Sequence, residues 1–495
     1  MSDFKKHFRK DFEEANKTQL HFDVTQLEPN EKKDRHKVKP LRLGLVITAS
    51  VIFAVVAIPA AMVAISFMEV DESVKTYNRR YTLNEIKIAE SNSFRKLNDV
   101  SYPDGDAPTE SWISEEEKKA YSKFANRTYH SLVDTSWQSN MSYSVVGLYS
   151  TMNEMSLAAS RPELTFKLDS LLGLDETDRA AFYDKVMKAN SFAREQSTIQ
   201  LKNAAFFNNK YNYSQDYVDS LTDLYCEAYQ LSFESDKGKI VEWANEAVKS
   251  KGFIDERFLE TNHETQLYLL SALYFKNAWS KKFLADDNFQ DDFYLAPDDP
   301  VKTTFMRHTY FTDDCFDYGS YISVRDRYYR GNASVTYLVP KKVEDDIFEL
   351  TEDVNIFEDV EANRMKPEKL PEVIVNLEVP KFVAKSEINF GSCLENLGFE
   401  DIFDREVDSF KNAFDDERMD GKNVYIQKIK QKNEVEFNED GSIVKSLSMA
   451  SFGALEAASM YGDTLDVKLN QPFIYIIRDV NDTPIFVGHV DNPKA

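Results

Sequence analysis

Cysteine is nearly missing from this chain of 495 residues: Cys226, Cys315 and Cys393 are all there is, widely spaced and odd in number. That excludes a disulfide framework and any metal site readable from thiol spacing. Glycine is scarce as well, with 15 residues, so collagen-like and glycine-repeat architectures are excluded. The chain contains no Gly-x-Ser-x-Gly elbow, no His-Glu-x-x-His and no Gly-x-x-x-x-Gly-Lys-Ser/Thr. Ser442-Ile-Val-Lys445 and Ser93-Phe-Arg-Lys96 match Ser-x-x-Lys, but no Lys-Thr-Gly accompanies either. The histidines of the large C-terminal part, His130, His263, His308 and His489, lack metal-ligand spacing. No catalytic residue, no metal site and no cofactor is expected, and the chain does not read as an enzyme.

Charge is missing altogether from Leu43 to Met68, a run of 26 residues. At about 1.5 Å per residue such a run spans a hydrocarbon core of roughly 30 Å with room for tilt. A charged leader of 42 residues and the length of the run fit a signal peptide poorly. The segment is therefore expected to be a transmembrane helix in contact with membrane lipid. Lys32, Lys33, Arg35, Lys37, Lys39 and Arg42 precede it closely, whereas Lys75, Arg79 and Arg80 follow. The bias places the N-terminus in the cytoplasm and the rest outside the cell. Residues 1–42 carry a net charge of +3 without apolar periodicity and read as a disordered cytoplasmic tail.

The whole chain has a net charge of −24, so residues 69–495 hold −27. A body that acidic repels nucleic acid, and none is expected as a partner. Aromatic residues make up 13% of the chain and apolar ones 42%, ample for a large core. Residues 69–113 read as a stalk ending in the turn-rich Ser101-Tyr-Pro-Asp-Gly-Asp-Ala-Pro108, and residues 114–495 as one domain. Ser114-Glu-Glu-Glu predicts a capped helix start. Gln266–Phe275 is apolar at both parities, as a central strand covered on both faces would be. Val424–Phe437 reads as extended, Asp216–Tyr229 as helical, and Pro472–Arg478 with Ile485–Val490 as a buried hairpin.

Taken in series, these segments resemble the serpin family. Ser271-Ala-Leu-Tyr-Phe-Lys-Asn-Ala-Trp279 with Phe283 is similar to the family's central-sheet strand and the tryptophan at its mouth. Val379-Pro-Lys-Phe382, Leu394, Leu397-Gly398 and Asp401-Ile-Phe403 match a later strand and helix. Val467-Lys-Leu-Asn-Gln-Pro-Phe-Ile-Tyr-Ile-Ile477 fits the C-terminal signature, and Phe486–Pro493 closes as serpins close. Asn140–Ser144 and Leu201–Phe207 match more weakly. The resemblance implies an α+β serpin fold over 114–495: a large mixed main sheet, further sheets, surrounding helices and an exposed reactive loop.

The function it implies is inhibition of a serine protease. The target cleaves the loop as bait, and the freed hinge side inserts into the main sheet as a new strand before the acyl-enzyme is hydrolysed. Phe437-Asn-Glu-Asp-Gly441-Ser442 resembles the hinge, which gives Glu439, Gly441, Ser442, Val444 and Ser446 hinge roles. By family analogy Ser442, Val444, Ser446 and Ser448 face inward on insertion, and all are small or apolar. Before cleavage Ser442 is expected near the surface. Fourteen residues beyond Gly441 lies Leu455-Glu456, the expected scissile bond, with Phe452, Met460 and Tyr461 as rivals in a lengthened loop. An apolar residue there points to a chymotrypsin- or elastase-like target. The region that lets the sheet open maps to Ser144, Ser271, Trp279 and Gln431, with Ser271 and Gln431 replacing an amide and an imidazole and Gly147 beside them. These departures, together with Asn433 and Glu434 at normally apolar positions, keep open the alternative of a non-inhibitory binding or structural serpin.

Overall fold

The computed structural model describes residues 86, 88–89, 91, 93–103, 111–194, 196–261, 264–358, 368–369, 373–415, 423–443 and 464–494. The expected tail 1–42 and membrane span 43–68 lie outside these. Among the described residues no helix is long and apolar enough to cross a membrane.

Along the chain run β1 (Arg95–Lys96), α1 (Glu115–Thr135), β2 (Ser142–Ser144), α2 (Val145–Ala158), α3 (Pro162–Leu172), α4 (Glu176–Ala189), β3 (Ser191–Ala193) and β4 (Ser197–Asn208). Next come α5 (Gln215–Asp223), β5 (Cys226–Leu231), α6 (Lys237–Ala247), α7 (Glu256–Leu259), β6 (Leu267–Ala278), β7 (Phe289–Ala296), β8 (Asp299–Thr312) and β9 (Cys315–Asp317). Then follow β10 (Tyr321–Arg327), β11 (Ala333–Pro340), α8 (Ile347–Thr351), β12 (Glu368–Lys369), β13 (Val373–Pro380), β14 (Phe382–Asn389), α9 (Gly391–Asn396) and β15 (Lys430–Asn438). The chain ends with β16 (Gly441–Ile443), β17 (Thr464–Lys468), β18 (Phe473–Asp479) and β19 (Pro484–Val490).

Three sheets organise these elements. The main one runs β1-β5-β4-β6-β16-β15-β14, with β3 on β4. A second runs β12-β9-β10-β11-β18-β19-β2, and a third β17-β13-β8-β7. In β4 the two side-chain parities serve different cores: Ile199, Leu201, Ala205 and Phe207 join the large core, whereas Ala204 and Phe206 join a smaller one with Trp243 of α6. Every position of β4 is buried in consequence. The hairpin β18–β19 is buried throughout, and its turn places Asp482 at φ +63. At the start of α1, Ser114 Oγ accepts from the Glu117 amide while the Glu117 carboxylate accepts from the Ser114 amide, a complete capping box.

Three expectations are corrected. The body does not begin at residue 114, because residues 86–103, expected as stalk, contain Ile86, Phe94, Val100 and Tyr102 in buried positions. Within that segment β1 pairs antiparallel with β5 at the sheet edge, Arg95 opposite Gln230. Asn98 donates to Thr222 Oγ1 and to the Cys226 carbonyl, and accepts from the Ala228 amide. Four buried side chains spread over 17 residues carry no regular period, so the sequence pattern hides them. Second, the helix expected over Asp216–Tyr229 stops at Asp223; Tyr225 at φ +57 turns the chain into β5, whose apolar face a helical reading had assigned to α5. Third, β6 is central in the strand order, yet Leu267–Ser271 are only half-buried. No direct pairing of β6 with β15 is present among the described residues; β16 joins them at one end. Val424–Phe437 becomes regular strand only from Lys430.

Candidate functional site

The residues expected as the hinge stand where β15 turns back into β16. Gly441 pairs with Ala278, Ser442 with Asn277 and Ile443 with Lys276, so three residues already occupy a slot between β15 and β6. Gly441 has φ +154, and a Cβ there would lie 2.0 Å from the Asn277 carbonyl oxygen. Only glycine allows so close an approach. Ser442, expected near the surface, is 1% exposed instead. Its Oγ accepts from the Tyr328 hydroxyl at 2.6 Å. Its hydrogen-bonding need is met inside the sheet, which removes the cost of burial.

Around the hinge the packing is aromatic. Trp279 stacks on Tyr328 with centroids 4.8 Å apart and donates from Nε1 to the Asn438 carbonyl at 2.8 Å. Phe437 lies 5.9 Å from the Trp279 ring. Glu439 accepts from Lys381 Nζ at 2.8 Å and from the Asn288 amide. Partial burial opposes ionisation of Glu439, but the hydrogen bonds from Lys381 and Asn288 outweigh it and leave its carboxyl below the ordinary value.

Of the residues expected to let the sheet open, Ser144 and Gln431 form a separate group. Gln431 Oε1 accepts from the Ser144 amide and Nε2 donates to the Ser144 carbonyl, both at 2.9 Å. Ser144 Oγ caps α2 by accepting from the Gly147 amide at 3.0 Å. A Cβ on Gly147 would come within 3.1 Å of both Gln431 Nε2 and Ser144 Oγ, so the small residue makes space for the glutamine. Asn433 donates to Gln431 Oε1 at 3.3 Å. Ser271 does not join this group; its buried Oγ has no hydrogen-bond partner among the described residues. Between β6 and β15, below the hinge, lies a cavity of about 520 Å³ lined by Leu148, Met155, Leu269, Ser271, Ile429 and Gln431.

Glu439, Gly441, Ser442 and Trp279 therefore stand together where β15, β16 and the end of β6 meet, and Ser144 stands with Gln431, the one residue of these six that lines the cavity. Val444, Ser446 and the bond Leu455–Glu456 lie outside the described residues. Tyr328 and Asn288 were missed in the sequence because neither belongs to a local motif, and Asn277 and Lys381, though inside the quoted segments Ser271–Trp279 and Val379–Phe382, were not singled out because their partners lie on other strands and loops. Asn126-Arg-Thr128 and Asn332-Ala-Ser334 match the Asn-x-Ser/Thr acceptor pattern, but Asn332 is 5% exposed and donates to Ser197 Oγ, and Asn126 Oδ1 accepts from the Ile356 amide. All three cysteines are buried and free; burial pushes the Cys315 and Cys393 thiols up to about 11. Among the described residues no three His, Cys, Asp or Glu side chains gather as a metal ion would need.

Comparison with known proteins gives a consistent picture. The family described as Serpin (serine protease inhibitor) matches residues 119–493. Mouse leukocyte elastase inhibitor A is 24% identical over 77% of this chain and its own full length. Human alpha-1-antichymotrypsin is 24% identical, covering 75% of this chain and 86% of that one. In three dimensions the thermophilic serpin tengpin, in its native state, superposes with a TM-score of 0.65 at 19% identity, covering 78% of this chain and 97% of that one.

Proposed function

This chain belongs to the serpin family, whose members are described as serine protease inhibitors, and we propose that it inhibits a serine protease as a cleaved bait whose hinge side inserts into the main sheet. Ser442 carries this reading. It is small, faces inward and is already buried between β6 and β15, and further along the same two strands a cavity lies between Leu267–Ser271 of β6 and the start of β15. In such a mechanism the protein supplies no catalytic group. The protease's own serine attacks the bait carbonyl, and strand insertion competes with hydrolysis of the resulting ester.

The target is a chymotrypsin- or elastase-like enzyme. Leu455 before the expected scissile bond supports this, as do the names of the elastase inhibitor and antichymotrypsin relatives. Residues 43–68 anchor the protein in the membrane with residues 1–42 cytoplasmic and the serpin body outside, which the 26 uncharged residues and the flanking basic residues support. Protease added to intact cells then degrades the body and spares residues 1–42; a protected body overturns the orientation.

A panel of serine proteases incubated with the full chain in detergent tests the inhibitory reading. The expected result is a complex that survives boiling in detergent, releasing a C-terminal fragment that begins at Glu456. Cleavage without complex, and without a rise in melting temperature, favours the second reading, a non-inhibitory serpin. One observation leans that way: Gln431 holds both backbone groups of Ser144, which tends to keep the sheet shut.

A further inference from the structure

The lower end of the gap between β6 and β15 is bridged by charge. Glu260 follows α7 at φ +49, in the connection that leads into β6. Its carboxylate binds Lys430 Nζ at 2.8 Å through one oxygen and Lys428 Nζ through the other. Lys430 also binds Glu387 of β14 at 2.8 Å, and its side chain is 11% exposed. The Lys430 ammonium sits 5.0 Å from the Phe258 ring centroid in α7, and that of Lys432 5.7 Å from the Phe253 ring. Thr265 donates to Gln427 Oε1 at 3.1 Å. Hydrogen bonds from Lys428 and then Lys430 hold the Glu260 carboxyl down at about 2. The segment entering β6 is thus tied to the segment entering β15 at several points, and Glu260, Lys428 and Lys430 border the same cavity.

The pairing already present fixes where a longer inserted strand would run. Glu436 faces Ile443 across the β15–β16 pair. Continued antiparallel in the same register, the sixth and eighth residues after Ile443 come level with Lys430 and Lys428. Up to that point the entering strand fills the gap above the bridge. Beyond it, the strand must pass between Glu260 and the two lysines, because a new strand sets its neighbours two strand spacings apart, about 9.5 Å.

We propose that Glu260, Lys428 and Lys430 form a latch across the main sheet that controls the rate of complete loop insertion. The inference rests on the inhibitory reading, and it goes beyond it by naming which side chains set the speed. Two of the partners are substantially exposed, Glu260 at 38% and Lys428 at 49%, so the latch is weak enough to open and is screened by salt. An inhibitor whose insertion must outrun ester hydrolysis is sensitive to a barrier of that size.

The test uses the full chain in detergent, with the bait cut by a non-target protease. The rate at which the cleaved protein gains heat resistance is followed at low and high salt. Glu260→Gln is expected to insert roughly three- to tenfold faster than wild type at low salt, the size of a surface ion-pair effect on a rate. Wild type is expected to speed up with salt and Glu260→Gln to respond little. Lys428→Gln should behave similarly. Equal rates and equal salt responses in wild type and both single variants overturn the latch while leaving insertion intact. If neither wild type nor variants gain heat resistance, the inhibitory reading fails and the latch with it. Insertion by Glu260→Gln alone supports both.

Discussion

The Tyr328 hydroxyl donates to Ser442 Oγ at 2.6 Å, and neither side chain reaches solvent. Tyr328 lies at the end of the β10 region and Ser442 in the hinge, 114 residues apart. Residues 441–443, proposed as the hinge, are therefore docked in the sheet, and Ser442 bonds to the tyrosine that stacks on Trp279.

Ser442→Arg should act before cleavage as well as after it. A guanidinium cannot be desolvated in that slot without a partner, at a cost of several kcal/mol. The hinge should leave the sheet, the bond to Tyr328 should be lost, and the uncleaved protein should melt a few degrees lower. After cleavage the variant should be released as a plain substrate. An unchanged melting temperature before cleavage would contradict the docked hinge.

Gly441→Ala probes the same strand by a different route. Its Cβ meets the Asn277 carbonyl at 2.0 Å, and backbone cannot yield as a flexible side chain can. A destabilisation of about 1–3 kcal/mol is expected, as for an overpacked core site. Proteolysis of residues 441–443 in the uncleaved protein should rise together with it.

The segment before residue 103 should matter to the folded body. Tyr102 donates to Glu227 Oε1 at 2.9 Å, and that buried carboxylate also accepts from Tyr229 and from Trp243 of α6. Tyr102→Phe leaves one acceptor site unfilled and should cost about 1–3 kcal/mol. Deleting residues 86–103 should cost more, since Phe94 also leaves its stack on Tyr229. Unfolding rates in urea measure both. A deletion that melts like wild type would return the segment to the role of a stalk.

Asp479 predicts a pH dependence of known sign. Burial raises its carboxyl from 3.8 to about 6, against the hydrogen bonds from Thr483, Asn190 and Asn481. The folded state holds the proton more tightly than the unfolded one. Its contribution is therefore full below about pH 4 and is lost as pH rises towards 6, in total on the order of 3 kcal/mol. Asp479→Asn should remove that slope between pH 4 and 6. The difference in melting temperature between wild type and variant across that window checks it, and a difference independent of pH would refute the assignment.

The sequence by itself determined a large share of this protein. The capping box at Ser114, the buried hairpin around Pro472–Val490 and the strand from Leu267 were legible because each depends on neighbours within a dozen residues: side-chain parity, a cap or a turn. Gly441 and Ser442 were singled out from their local resemblance alone. What the tertiary structure decided is what stands opposite them. Asn277 explains the glycine, Tyr328 buries the serine, and among the described residues the gap exists because β6 and β15 are joined only through β16. The same holds for β1, two residues long, whose place in the main sheet rests on β5 more than a hundred residues away. Contacts of such separation leave no period in the chain, because the partners share a sheet edge or a core and no stretch of backbone.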